Sequence, residues 1–403
     1  MNPVEIVTVA KLTPIFKGEE KAENIELVNL EETGFDIISQ KGLYKVGDKA
    51  VYIQPDYCLP DESELFQSFT APGGDPNKSR LGKGNRIKAL KFNFHKGDNQ
   101  TLYSMGILLP YGEVFSGSNA LLKQVDAEEL AGKLGVFKYE APEKGSSGQA
   151  KGDMPLGMYK TDENNFENIK NKIEYPIKLI GTLKVDGSSI TCYVNSEGET
   201  GICSRSFEKK LDQSIIIGYE NDKGNKLRKH FDRDSQNLGW LDEGTGNFYK
   251  DVPSNFTAIL GTTDDSWVKL GTPVLDKLIQ IHEERNETLV ARGEISGVGL
   301  KGSGNKNNPH AKESQSMLVY GLDDYSTGVT RKLPMRDVVE ICRDYDIPMV
   351  ETLFIQTFRT EKSLRKKCEG YFEGNMVEGI VLRSVTDTSL SCKYMNKEYD
   401  SKK

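Results

Sequence analysis

Residues 179–194, LIGTLKVDGSSITCYV, decide how the chain is read. Two β-rich apolar runs flank Lys184, Val185, Asp186 and Gly187. A lysine at the end of an apolar strand, next to an Asp-Gly turn that brings backbone N–H groups close, is partly desolvated. Burial favours the neutral amine and neighbouring cations lower the pKa further, which is what a lysine needs to act as a nucleophile. The K-x-D-G pattern alone is short enough to arise by chance. It leaves a plain hairpin with an exposed Lys184 as the competing reading.

Upstream, residues 4–115 break into short β-rich runs separated by turn residues: VEIVTVAKLTPI, IELVNL, FDIISQ, KVGD, KAVYIQPDYCLP and IKALKFNF. Such spacing suggests a small barrel. Between Asn77 and Gly97 stand seven basic residues, Lys78, Arg80, Lys83, Arg86, Lys88, Lys91 and Lys96, and no acid. In KFNFHK, strand alternation puts Phe92 and Phe94 on one face and Lys91, Asn93 and His95 on the other. Either this is a solvated hairpin over two core rings, or the charged face tracks a phosphate backbone as OB-type barrels do. Residues 139–160, rich in Gly, Ser, Pro and Lys, have a linker's composition. Beyond them TDENNFENIKNKI reads as a capped helical segment. Helical spacing appears at 274–286 and 336–346, and strand-like runs at TLVARGEISG, SMLVYGLDDY and EGIVLRSV. The expected fold class is α+β, with domains at 1–138 and 161–403 joined by the linker.

The 403 residues carry 53 Lys+Arg against 60 Asp+Glu, a net charge of -7, so bulk attraction to nucleic acid is excluded although a local basic face is not. No apolar run is long enough to span a membrane and the N-terminus lacks signal-peptide order, so a soluble intracellular chain is expected. Six Cys, at 58, 192, 203, 342, 368 and 392, form no CxxC pair and sit mostly in apolar runs, as buried thiols do. The four His show no zinc spacing. The Gly-rich GVGLKGSGNK at 297–306 lacks the Gly-Lys-Ser/Thr of a Walker loop.

Further segments follow in a fixed order. CSRSF carries Arg205, ARGEISG carries Glu294, MLVYGLDD carries Tyr320, VEGIVLR carries Glu378 and SCKYMNKEY carries Lys393. With Lys184 these resemble motifs I, Ia, III, IIIa, IV and V of the covalent nucleotidyltransferase superfamily of ligases and mRNA capping enzymes. The barrel precedes the transferase region, an order that resembles the ATP-dependent RNA ligases with an N-terminal OB domain. The interval from Arg205 to Glu294 is longer than that pattern, and its basic stretch 221–233 is either an inserted RNA-contacting element or a solvated surface. Leu183 also departs from the pattern, standing where many relatives carry a carboxylate.

The resemblance implies an OB-like domain followed by an ATP-grasp-like nucleotidyltransferase (adenylyltransferase) domain, acting as a monomer on RNA with 3′-OH and 5′-phosphate ends, with ATP and Mg2+ or Mn2+. It implies that Lys184 attacks the α-phosphorus of ATP to form lysyl-AMP, that AMP passes to a 5′-phosphate end, and that a 3′-OH then displaces it. Gly187, Arg205, Glu294, Tyr320 and Lys393 would bind the nucleotide, with Arg205 and Glu294 on the ribose, Tyr320 stacked on adenine and Lys393 at the α-phosphate. Asp186, Glu294 and Glu378 would hold the metal. Arg86, Lys88 and Lys91 would meet RNA or the pyrophosphate portion of ATP. A DNA ligase, a capping-type guanylyltransferase, and a non-catalytic nucleic-acid-binding protein with a decayed transferase fold are the alternatives.

Overall fold

The computed structural model describes residues 3–97, 101–116, 122–123, 125–139, 150–232, 237–300 and 308–402. The fold is mixed α+β. Its N-terminal part is an antiparallel sheet ordered Ile107–Pro110, Lys49–Ile53, Val4–Thr13, Ile25–Leu30, Asp36–Gln40. Val4–Thr13 pairs with strands on both sides and changes register between Val9 and Lys11, and such a bulge bends the strand. The sheet nearly closes on itself: the Met105 N–H donates to the Asp36 carbonyl at 2.9 Å and the Ile38 N–H to Ser104 Oγ at 3.0 Å. Alternation puts Val7, Val9, Val28, Ile37 and Tyr52 into one core. Val4, Val51 and Ile53 pack instead with Leu130 of the helix Ala127–Lys133.

The remainder is built on two larger sheets. A seven-stranded sheet runs Ala150–Asp153, Phe207–Lys209, Thr200–Cys203, Ser188–Val194, Leu289–Ser296, Ser316–Asp324, Arg331–Lys332. A five-stranded sheet runs Asn164–Asn165, Ser391–Met395, Gly379–Ser384, Ile177–Lys184, Thr352–Phe358. Ile177–Lys184 and Ser188–Val194 therefore belong to different sheets. The hairpin reading of residues 179–194 fails, because each strand finds its partners elsewhere and 185–187 is a crossover between sheets. Within the expected linker 139–160, residues 140–149 lie outside the described residues, and Ala150–Asp153 forms the exposed edge strand of the seven-stranded sheet.

The helix Ser266–Arg285 begins eight residues before the expected 274. Gly271 and Pro273 interrupt its pattern in sequence, but Asp265 caps the Trp267 and Val268 amides and Gly271 admits Ile190, Ile202 and Cys192 to close packing. This helix and Met335–Asp344 contribute to the core of the seven-stranded sheet, with Val274, Leu278, Ile281, Val338 and Ile341 buried. The helix Glu361–Phe372, too polar to stand out in sequence, buries Leu364 and Cys368 one turn apart against the five-stranded sheet. All six Cys are free and buried. Among the described residues no helix is long and apolar enough to cross a membrane.

The N-terminal part docks on the short helix Phe166–Ile169. The Gly34 N–H donates to the Glu167 carbonyl at 3.2 Å, the Thr33 hydroxyl to Asn168 Oδ1 at 3.4 Å, and Asn168 Nδ2 to Gln54 Oε1 at 3.2 Å. Between Arg205 and Glu294 the chain adds a further antiparallel sheet, ordered Phe248–Tyr249, Asn237–Asp242, Lys226–Asp232, Ser214–Asn221, Phe256–Thr262. This sheet accounts for the long interval.

Candidate active site

The crossover brings chemistry from both sheets to one place. Lys184 ends its strand opposite Gly379, so Glu378, the residue before Gly379, arrives beside it. The Lys184 ammonium and the buried Glu378 carboxylate form an ion pair. Gly187 has no room for a side chain: a Cβ there would stand 2.5 Å from the Ile295 carbonyl oxygen and 3.3 Å from Glu294 Oε2. That close approach places the turn against the strand carrying Glu294, which pairs with Ser189.

Glu294 is a strongly perturbed carboxyl. Burial raises its pKa from the ordinary 4.5 to about 8; Glu378 and Asp186 add to the rise, while Lys184 and Arg205 oppose it. Its Oε2 is buried and has no hydrogen-bond partner among the described residues. A buried oxygen without a donor is costly unless a ligand or cation meets it. Asp186 is also buried and accepts a 2.7 Å hydrogen bond from the Tyr399 hydroxyl, while its carbonyl accepts from Asn308 Nδ2 at 2.5 Å. Among the described residues, no group of three or more His, Cys, Asp or Glu side chains is arranged to hold a metal ion. The expected ligands Asp186, Glu294 and Glu378 therefore do not form a preassembled ligand set, and the feature here that calls for a cation or ligand is the partnerless buried Oε2 of Glu294.

The folded chain keeps the Glu294 proton up to about pH 8, whereas the unfolded chain releases it near the ordinary 4.5. The folded state therefore binds more protons across this window, and its contribution to stability falls as pH rises from about 4.5 to 8. Glu294→Gln is expected to remove this dependence. Without metal, its unfolding free energy from urea titration, relative to wild type, should rise between pH 5 and pH 8.5 by on the order of a few kcal/mol. Parallel profiles for the two proteins would contradict the assignment.

Lys393 lies on the strand Ser391–Met395, paired with Val381. Burial holds its ammonium below the ordinary lysine range and Lys184 pushes the same way, against Asp56, Glu378 and Asp400. Its Nζ is 3.6 Å from Asp162 Oδ1, and Asp162 also pairs with Lys138. Tyr320 lies on the strand Ser316–Asp324, and the Arg383 guanidinium sits 5.7 Å from its ring centroid. Burial and the Glu294 carboxylate push the Tyr320 hydroxyl up to about 12, with a hydrogen bond to Thr161 opposing. Tyr320 also lines a cavity with Tyr159, Thr161, Glu163, Arg292 and Arg383. Arg205 follows the strand Thr200–Cys203 and its charge reaches Glu294.

The basic stretch of the N-terminal part divides. Arg86 forms an ion pair with Asp56, lies over the Tyr139 ring at 4.9 Å, and feels the charge of Asp400. The Ala89 N–H donates to Asp400 Oδ2 at 3.3 Å. Arg86 thus stands beside the C-terminal helix Lys397–Ser401, the same helix whose fully buried Tyr399 holds Asp186. Lys91 is exposed and its charge reaches Glu398, and Lys88 is half-buried. Sequence reading missed Tyr399, Asn308, Asp56, Asp162 and Asp400. Their only local signals are the turn at QPDY and the Asn396 cap of the last helix.

The RNA ligase family model matches residues 177–397, more than half of the chain. No curated protein matches the chain in sequence. Solved structures of the Naegleria gruberi RNA ligase are similar in fold. A mutant with AMP and Mn aligns at TM-score 0.68 and 19% identity over 100% of this chain and 98% of that one. The enzyme with PPi aligns at 0.68 and 18% over 99% and 98%, and a mutant with ATP and Mn at 0.68 and 18% over 100% and 99%. The matched region holds Lys184, Asp186, Glu294, Glu378 and Lys393 in the order read from the sequence, and this chain belongs to the RNA ligase family.

Proposed function

We propose that the protein is an ATP-dependent RNA ligase that joins 3′-OH and 5′-phosphate ends through lysyl-AMP and RNA-adenylate. The observation that carries this is the convergence, at the crossover between two sheets, of Lys184 paired to Glu378 with the buried, partnerless Oε2 of Glu294. Residues 1–138 form the OB-type domain and 161–403 the ATP-grasp-like adenylyltransferase domain, working as a monomer.

The Lys184 amine attacks the α-phosphorus of ATP, forming the N–P bond as pyrophosphate leaves. An oxygen of the RNA 5′-phosphate then attacks the same phosphorus, returning the amine to Lys184. Finally the RNA 3′-OH attacks the activated 5′-phosphate and AMP leaves. Each step spreads negative charge over phosphoryl oxygens, so positioning and charge stabilisation supply most of the catalysis. Lys393, held among carboxylates near Lys184, faces the α-phosphate. Arg205 and Glu294 contact the ribose, Gly187 lets the backbone approach the nucleotide, and Tyr320 stacks on adenine with Arg383 behind it. A divalent cation held through Glu378, Glu294 or Asp186 would neutralise charge on the transferring phosphoryl group. Tyr399 keeps Asp186 oriented for that role.

Mass analysis after incubation with ATP and Mn2+ tests the reading: a gain of one AMP supports it, and the absence of any adduct contradicts it. A gain of GMP from GTP instead would favour the capping-type alternative.

The placement of Arg86 bears on the β- and γ-phosphates of ATP. It lies beside Asp400 and shares Asp56 with the surroundings of Lys393, close to the transferase site. Arg86→Ala should lower the rate of lysyl-AMP formation by about tenfold or more, as removal of a phosphate-clamping charge does, and leave RNA affinity near the wild-type value. Lys91→Ala, at an exposed position, should instead reduce the salt slope of RNA binding by roughly 0.7–0.9. Filter binding at several salt concentrations and adduct kinetics on the same preparations separate the two roles.

A further inference from the structure

We infer that the added sheet between Ser214 and Thr262 is a stacking platform for single-stranded RNA, an inference that rests on the ligase reading for its substrate. Register defines one face. Lys229 pairs with Trp240, and Trp240 with Tyr249, so a lysine and two aromatic rings form one row across three strands. In the next row Phe231 pairs with Leu238, and Phe231 shares the face because side chains two apart on a strand point the same way. Tyr219, paired with Leu227 on that face, packs edge-on against Trp240 with ring centroids 4.7 Å apart.

The face is accessible. Phe231 is 49% exposed, Leu238 56%, and Lys229 is exposed, while Leu227 is the only apolar side chain of the sheet buried among the described residues. Trp240, Tyr249 and Tyr219 are half-buried, so part of each ring faces solvent.

Charge selects the occupant. The carboxylates Glu220 and Asp232 register on the opposite face, and Asp242, the acid on this one, is buried and accepts from the Gly244 and Thr245 amides at 2.8 and 3.0 Å. Among the described residues, the charge this face presents is therefore the Lys229 ammonium. Aromatic planes around a cation, without an exposed carboxylate among the described residues of the face, match bases that stack and phosphates that need neutralising.

The test uses the full-length protein and a fluorescently labelled unstructured RNA oligonucleotide, read by anisotropy. Phe231→Ser and Trp240→Ala should each weaken binding by about tenfold, the scale of one lost base-stacking contact. Lys229→Ala should flatten the salt dependence by roughly 0.7. Trp240→Phe keeps a ring and should retain affinity, which separates stacking from a folding defect, and the half-exposed Phe231 gives a variant with little cost to the fold. Lysyl-AMP formation from ATP and Mn2+ should be unchanged in all of them. Wild-type affinity in both Phe231→Ser and Lys229→Ala would overturn the inference. So would loss of self-association in sedimentation with RNA binding intact, which would assign the face to a second copy. An absent AMP adduct in the wild type, with RNA binding still dependent on these residues, would defeat the ligase reading and leave the platform standing.

Discussion

Lys184→Ala is expected to leave a folded protein that gains no AMP from ATP and seals no 5′-phosphate RNA. Lys184 stands at the end of a strand whose neighbours on both sides are in place without its side chain, so the backbone register should survive truncation. What is lost is the amine. Lys393 also reaches this cluster with its charge, but it sits on a different strand, where Asp56, Glu378 and Asp400 act on its ammonium. A positioned nucleophile is worth many powers of ten through orientation alone, so the adduct should fall below detection. Intact-protein mass spectrometry reads the loss, and a persistent adduct would transfer the nucleophile to another residue. The variant should still join RNA supplied already adenylylated, because that step draws on the cation clamp around the phosphates and not on the lysine as nucleophile.

The second large effect belongs to Glu378→Gln. Two roles are open to this carboxylate, and they have opposite signs. As the counter-ion of Lys184 it favours the ammonium, so removing its charge would free the amine and speed adduct formation. As an anchor for a divalent cation it supports the transferring phosphoryl group, and its loss should slow adduct formation by about 10²–10³, the usual cost of removing one stabilising contact to developing charge. The buried setting favours the second outcome: Glu378 lies beside Asp186 and the buried, partnerless Oε2 of Glu294, where a divalent cation would be met by more than one oxygen. A slower rate that recovers partly at high Mn2+ would support the anchor. A faster rate would leave Glu378 as counter-ion alone and shift the metal to Asp186 or Glu294. Gln preserves the volume, so the thermal midpoint should move little in comparison with the rate.

The ordered segments around Lys184, Arg205, Glu294, Tyr320, Glu378 and Lys393 were legible in the sequence because together they resemble the nucleotidyltransferase motifs in order, and most lie in or beside apolar runs that read locally as strands. A residue type that gains nothing from packing, such as Glu378 at the mouth of an apolar run, stands out against that pattern. The N-terminal β-rich runs and the two long helices are visible for the same reason. Their hydrophobic periods are properties of ten or twenty neighbouring residues.

The rest depended on which distant strands meet. Nothing local separates a hairpin from a crossover at residues 184–187, since both need a tight turn between two strands; the choice lies in the pairing of Lys184 with Gly379 and of Ser189 with Glu294, each about a hundred residues or more away. Tyr399 reads as one more apolar residue near the C-terminus until the fold brings its hydroxyl to Asp186. Asp56 and Asp400 likewise gain meaning only when the N-terminal sheet docks and sets Arg86 beside the last helix. The order of the chemistry along the chain is thus a matter of sequence. Which carboxylate faces which cation, and at what energetic cost, was decided by long-range strand pairing and by the burial that follows from it.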